Sequence, residues 1–157
     1  MTEHNTLRAK SAFAGVTPYL LVADGAAAID FYLRAFAARE IMRLDHDGRV
    51  GHAEIDVEGG RVMLADECPE RQAFSPRAIG GTAVMIHLYV ADVDAFAARA
   101  KAEGMKEVRP VETQFYGDHG GLFEDPFGHR WWFATHVEDV EPDDIRRRAA
   151  ALHGLAP

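Results

Sequence analysis

The chain has 157 residues, 48% of them hydrophobic and 27% charged, with a formal net charge of -8. This acidity argues against a nucleic-acid binder, because phosphate contacts need a basic face, and no apolar run approaches the roughly 20 residues that cross a bilayer. The single cysteine, Cys68, excludes an internal disulfide and any multi-cysteine metal site, and is read as a free thiol.

Residues 1–13 carry no hydrophobic signal-peptide core and are read as a flexible arm, which makes the cytoplasm the expected compartment. Val16 to Ala23 is an apolar strand candidate. Asp24 then caps a helix from Gly25 to about Ala37, with Ile29, Phe31, Tyr32, Leu33 and Phe36 forming its apolar face. Strands are expected at Glu40 to Asp45, Gly51 to Val57 and Arg61 to Asp66, with turns at Asp47-Gly48 and Gly59-Gly60. Cys68 to Gly81, broken by prolines and glycines, reads as a linker.

The pattern then restarts. Thr82 to Val90 is a strand, Asp92 caps a helix from Val93 to about Glu103, Gly104 ends it, and Lys106 to Val111 is a further strand. Phe115 to His136 reads as two strands joined at Asp125-Pro126-Phe127-Gly128, where proline presets the backbone and aspartate and glycine suit the flanking positions. After that turn, Trp131 and Phe133 point to one face of the strand, and Arg130, Trp132 and Ala134 to the other. Such a strand packs a helix on one side and lines a cavity on the other. Glu141-Pro142-Asp143-Asp144 opens a last helix through Leu152, packed on the outside or against a partner subunit.

The two halves align without a gap at an offset of 68, the distance from Asp24 to Asp92. Leu20-Leu21-Val22-Ala23-Asp24 falls on Leu88-Tyr89-Val90-Ala91-Asp92, and Ile55, Asp56 and Gly60 fall on Phe123, Glu124 and Gly128. The bland alternative is two unrelated pieces sharing a short motif; the agreement of caps, glycines and strand order favours a repeat. One such unit cannot bury its own sheet, so two copies pair. The expected organisation is one domain at 14–138, with module one at 14–67, the linker at 68–81 and module two at 82–138. A C-terminal helical segment follows at 139–157.

The repeat, together with FYGD, EDPFGH and the AIDFY helix, resembles the vicinal oxygen chelate superfamily, and within it the glyoxalase-like, bleomycin-resistance-like group often labelled PhnB-like. The resemblance implies an α+β fold of two βαβββ modules whose curled mixed sheets enclose a cavity, usually in a homodimer. It leaves the activity open, because such folds host isomerases, lyases, dioxygenases, thiol transferases and proteins that only sequester drugs.

In metal-using members of that superfamily the ligands, typically His, Gln or Glu, come from four equivalent strand positions. Counting back from the capping aspartates and on from the turn glycines puts Thr17, Leu64, Met85 and Trp132 there. Leucine and tryptophan cannot ligate, threonine seldom does, and methionine favours soft metals. The usual metal site is therefore expected to be absent, and a divalent metal is not favoured as cofactor.

Strand alternation gives the cavity face its candidates: Tyr19, His52, Glu54, Met85, His87, Tyr89 and Trp132, with Tyr116 and His119 near the rim; Trp132 and Tyr116 can equally be core residues. His52, Glu54 and Asp56 can equally be the solvated side of a half-buried strand. His87, set between aliphatic neighbours, is the better pocket residue, although it can be a hydrogen-bonded wall residue only. His129 and His136 are read as stabilising the turn and the strand end.

Three functions compete. The first is a metal-independent protein that binds or sequesters a small molecule, using its aromatic cavity to stack a flat or cationic ligand. The second is an enzyme with a relocated metal held by His52, Glu54 and His87, a two-histidine, one-carboxylate set. The third is metal-free acid–base chemistry with His87 as base and Glu54 or Tyr89 orienting substrate. The expected partners are a small-molecule ligand and a second copy of the chain, with no nucleic acid and no membrane.

Overall fold

The computed structural model describes residues 15–152 and 154, so the arm expected at 1–13 lies outside the described residues. Each half builds one helix and one four-stranded sheet. The first comprises β1 (Tyr19–Val22), α1 (Gly25–Ala35), β2 (Arg39–His46), β3 (Arg49–Val57) and β4 (Gly60–Asp66). The second comprises β5 (Met85–Tyr89), α3 (Val93–Ala102), β6 (Lys106–Thr113), β7 (Asp118–Glu124) and β8 (Arg130–His136). The strand orders, β1-β4-β3-β2 and β5-β8-β7-β6, are the same order twice, as the repeat requires. In each sheet the first strand lies parallel to the last and the remaining pairs are antiparallel.

Both helices start as their sequences dictate. The carboxylate of Asp24 accepts from the backbone N–H of Ala27 at 2.9 Å, and that of Asp92 accepts from Ala95 at 3.0 Å. These bonds satisfy donors that the first helical turn leaves without partners. Gly104 stops α3 at φ 112, a left-handed angle that suits a residue without a side chain.

The linker is more ordered than the expectation at 68–81. It holds a single helical turn at Pro69–Arg71 and a short helix α2 (Pro76–Ile79), whose N-cap Ser75 accepts from Ala78. The last helix, α4 (Pro142–Leu152), rests on the surface, where Arg148 grips Glu138 through its two terminal guanidinium nitrogens at 3.0 and 2.7 Å.

The core determines how the modules meet. Buried faces of α1 and α3 and the inner faces of both sheets join one continuous apolar cluster. Phe36 of module one sits 5.4 Å from Phe96 and 4.9 Å from Trp131 of module two, ring centre to ring centre. A buried polar lock crosses the same boundary: Tyr32 donates its hydroxyl to Asp125 at 2.6 Å, and Trp131 donates its indole N–H to the same carboxylate at 2.9 Å. His129 reaches the carbonyl of Leu21 at 3.0 Å.

This packing corrects one expectation. The two sheets do not close around a cavity within the chain; their inner faces share the helical core, and their other faces stay open.

Candidate functional site

The open face of module two is built from alternate residues of β5, β8 and β7. His87 lies directly beside Trp132, and Trp132 beside Leu122. The His87 ring sits 4.6 Å from that of Tyr89 at an interplanar angle of 36°, and 6.4 Å from Trp132 at 37°. Tyr89 is 55% and Met85 53% exposed. Trp132 is only 8% exposed, because it lies across Gly120: a Cβ there would stand 2.8 Å from the indole Nε1.

One end of this face is polar. The Tyr89 hydroxyl donates to buried Asp118 at 2.8 Å, and Asp118 also meets His136 Nδ1 at 2.8 Å, while His136 Nε2 lies 2.8 Å from Asp139. The bond to Asp118, then burial, raises the Tyr89 phenol above its ordinary range. The two carboxylates, Asp118 first, raise the His136 imidazole likewise. Tyr116, in the turn before β7, is raised by burial and then by the charge of Asp118, so it belongs to this end.

A raised folded-state value means that His136 contributes stability fully below about pH 6.5, its unfolded value. That contribution is lost as pH rises through the folded value. Proton NMR titration is expected to put His136 above 6.5, and Asp118→Asn to bring it down; a value at or below 6.5 in the wild type contradicts the geometry.

Module one presents a different face. The Tyr19 hydroxyl and His52 Nδ1 are 2.8 Å apart, His52 Nε2 is 3.4 Å from Glu54, and Glu54 pairs with Arg61. Glu54 is 7% exposed, so the ion pair is partly desolvated, whereas Tyr19 is 47% exposed. Three residues that the strand pattern put on one face thus form one hydrogen-bonded chain across β1 and β3. His87 stands in the other sheet. Among the described residues, no group of three or more His, Cys, Asp and Glu could hold a metal ion, so His52, Glu54 and His87 do not form the relocated set.

His119 leaves the rim. It alternates with Gly121 and Phe123 on the helix side of β7, where it lies 3.0 Å from Thr113 and 3.3 Å from Asp94 of α3. A cavity of about 260 Å³, lined by His46, Arg49, Asp66, Cys68 and Arg71 among others, opens at an end of module one. It contains none of the face residues, and the Cys68 thiol beside it is engaged with Glu70 at 3.4 Å.

Comparison with known proteins identifies this architecture. The family model for the glyoxalase/bleomycin resistance protein/dioxygenase superfamily matches residues 13–133. The chain belongs to this superfamily. Uncharacterized proteins of Mycobacterium bovis and Mycobacterium tuberculosis are each 42% identical over 135 residues. The match covers 83% of this chain, with 89% of the first relative and 79% of the second. The crystal structure of TioX from Micromonospora sp. ML1 is 30% identical with a TM-score of 0.65, covering 79% of this chain and 99% of that one. The fosfomycin resistance protein FosX of Listeria monocytogenes, 18% identical at a TM-score of 0.59 over 85% of this chain and 98% of its own, shows the fold alone.

Superfamily membership makes the metal question concrete, and the strand register refines the expected answer. Val57 and Gly60 close a two-residue turn, whereas Asp125 and His129, joined by a backbone bond of 2.9 Å, close a three-residue one. The extra residue shifts β8 by one position relative to β4. Tyr19 pairs with Met63 where His87 pairs with Trp132. Met63, not Leu64, is therefore the counterpart of Trp132, and Leu64 is fully buried in the core. One residue of slip moves a side chain to the opposite face. Thr17, Met63, Met85 and Trp132 still offer neither imidazole nor carboxylate, so these positions do not fit the divalent metals that prefer such donors.

The residues that sequence reasoning missed are Met63, Arg61, Gly120 and Leu122. Only Met63 had a sequence signal, the second glycine at the module-one turn.

Proposed function

We propose that this protein binds a small, flat organic molecule on the open face of module two without a metal, releases it unchanged, and has that face covered by a second copy of the chain. The observation that carries this reading is the inclined ring set of His87, Tyr89 and Trp132 beside exposed Met85. Aromatic faces of this kind hold planar or cationic molecules by stacking and cation–π attraction. The superfamily name itself joins glyoxalases, resistance proteins and dioxygenases, and within it we place the chain with the PhnB-like group on its FYGD and EDPFGH segments. The second copy is argued from the repeat: each chain offers two related open faces, with Tyr19, Leu44, Met85 and Tyr89 exposed on them. No helix among the described residues is long and apolar enough to cross a membrane.

The test is tryptophan quenching with a set of aromatic compounds, followed by mass spectrometry of the recovered ligand. His87→Ala is expected to weaken binding, and chemical turnover of the ligand would sink the sequestering reading. Sedimentation is expected to give twice the chain mass; a monomer at micromolar concentration removes the second copy. Protein purified without chelator or metal-affinity resin is expected to hold far less than one divalent metal per chain, with no thermal shift on adding divalent ions. Stoichiometric metal would overturn the metal-free reading.

A second reading has its own observation. The 2.8 Å contact between Tyr19 and His52, backed by Glu54, is the arrangement of a base held by an orienting carboxylate. It moves the metal-free acid–base alternative from His87 to module one. Turnover that survives chelation and is lost in His52→Ala would favour it.

A further inference from the structure

We infer that the open face of module two takes a neutral aromatic molecule carrying a hydrogen-bond acceptor at its edge, and that the indole N–H of Trp132 is the donor that recognises it. This rests on the small-molecule reading above and names its ligand class.

The chain contains two tryptophans, adjacent on β8, and treats them differently. Trp131 Nε1 donates to Asp125 at 2.9 Å. Trp132 Nε1 is buried and has no hydrogen-bond partner among the described residues. A buried donor left without an acceptor is destabilising, which is why native structures contain few of them.

The sheet supplies no acceptor to this N–H in the free chain. Around the indole on this face stand Leu122 and Ala134, which are apolar, and Gly120, which has no side chain. The indole lies over the bare backbone at Gly120, so the third strand of the face forms a floor rather than a wall.

The surroundings narrow the chemistry. The His87 ring extends the indole surface at an inclination of 37°, and the Tyr89 ring follows at 36° to that of His87, a platform for a planar molecule. The Tyr89 proton is already given to Asp118, so Tyr89 offers lone pairs and ring surface but no donor. An anionic ligand would meet the buried Asp118 carboxylate, whose charge His136 and Tyr89 only partly offset. A simple ammonium has no acceptor for the indole. A ring carbonyl meets both requirements.

The experiment uses ¹⁵N-labelled full-length protein and follows its two indole N–H signals during titration with coumarin and with naphthalene. These are flat bicycles of similar size, of which only coumarin carries the acceptor. Coumarin is expected to move the Trp132 signal downfield and leave Trp131 in place, whereas naphthalene binds without the downfield shift. Trp132→Phe, which keeps a ring and removes the donor, assigns the signal. It is expected to lower the ratio of coumarin to naphthalene affinity about tenfold, equivalent to about 1.4 kcal/mol.

If that variant fails to fold, the comparison on wild-type protein still decides. Binding of both compounds with an unmoved Trp132 N–H overturns the donor and leaves the small-molecule reading standing. An N–H already shifted downfield in the free protein and insensitive to both compounds, as for a tightly held water, overturns it equally. Binding of neither compound overturns this inference, and failure of the wider aromatic set then removes the reading beneath it.

Discussion

Asp125→Ala is expected to lower the unfolding free energy by about 3–5 kcal/mol, the largest single-residue loss in the chain outside its apolar core. The carboxylate is buried and accepts four hydrogen bonds. One oxygen takes the backbone N–H groups of Phe127 and His129, both at 2.9 Å, and holds the turn between β7 and β8. The other takes the Tyr32 hydroxyl and the Trp131 indole, and ties module one to module two. Truncation removes all four at once and leaves two buried side-chain donors without an acceptor. Tyr32→Phe removes one donor together with its need, so its loss is expected nearer 1 kcal/mol. Urea denaturation of the two variants measures both numbers, and the midpoint of thermal unfolding for Asp125→Ala should fall by about 10 °C. A loss below about 1 kcal/mol for Asp125→Ala would show that the buried carboxylate adds little to the apolar core that joins the modules.

Gly120→Val is expected to damage the aromatic face more than any exposed substitution on it. The backbone at Gly120 has no unusual angle; the constraint is space. A Cβ would stand 2.5 Å from the Phe133 carbonyl oxygen and 2.8 Å from the Trp132 indole nitrogen. The first neighbour is backbone of the paired strand and cannot turn aside, so either β7 and β8 separate locally or the indole leaves its floor. Overpacking of this kind costs about 1–3 kcal/mol of stability. Raising the indole also breaks the ring platform with His87, so coumarin binding should weaken by at least about tenfold. Tryptophan emission should shift to the red as Trp132 gains solvent. Unchanged emission with unchanged affinity would place the ligand elsewhere.

The element order of this protein is legible in its sequence, because each element carries its own local signal. Asp24 and Asp92 announce helix starts by their short acceptor side chains, and both do cap. Period-two alternation put His52 and Glu54 on one face of β3, and Met85, His87 and Tyr89 on one face of β5. The adjacent tryptophans serve opposite faces, as strand alternation requires, Trp131 the core and Trp132 the open side. The ends of strands were less legible: β1 begins at Tyr19 rather than Val16, and β5 at Met85 rather than Thr82. Before β1 the ladder reaches no further than the Pro18 carbonyl, which accepts from the Met63 N–H at 2.9 Å, and a strand ends where pairing ends.

What the sequence determined by itself is the repeat, the superfamily resemblance and the side of each sheet on which most candidate residues lie, since these follow from spacing along one chain. What only the tertiary structure decided is which of them meet. A one-residue difference between two turns moved the counterpart of Trp132 from Leu64 to Met63. His119, grouped with the rim by its neighbours in sequence, turned to Asp94 on the helix side. Tyr19 found His52, a partner 33 residues away, and Trp132 found the bare backbone of Gly120. Side-chain alternation is fixed by the geometry of a single strand. Cross-strand register and the joining of two modules depend on turn length and on how the two cores merge, and no local pattern encodes those distances.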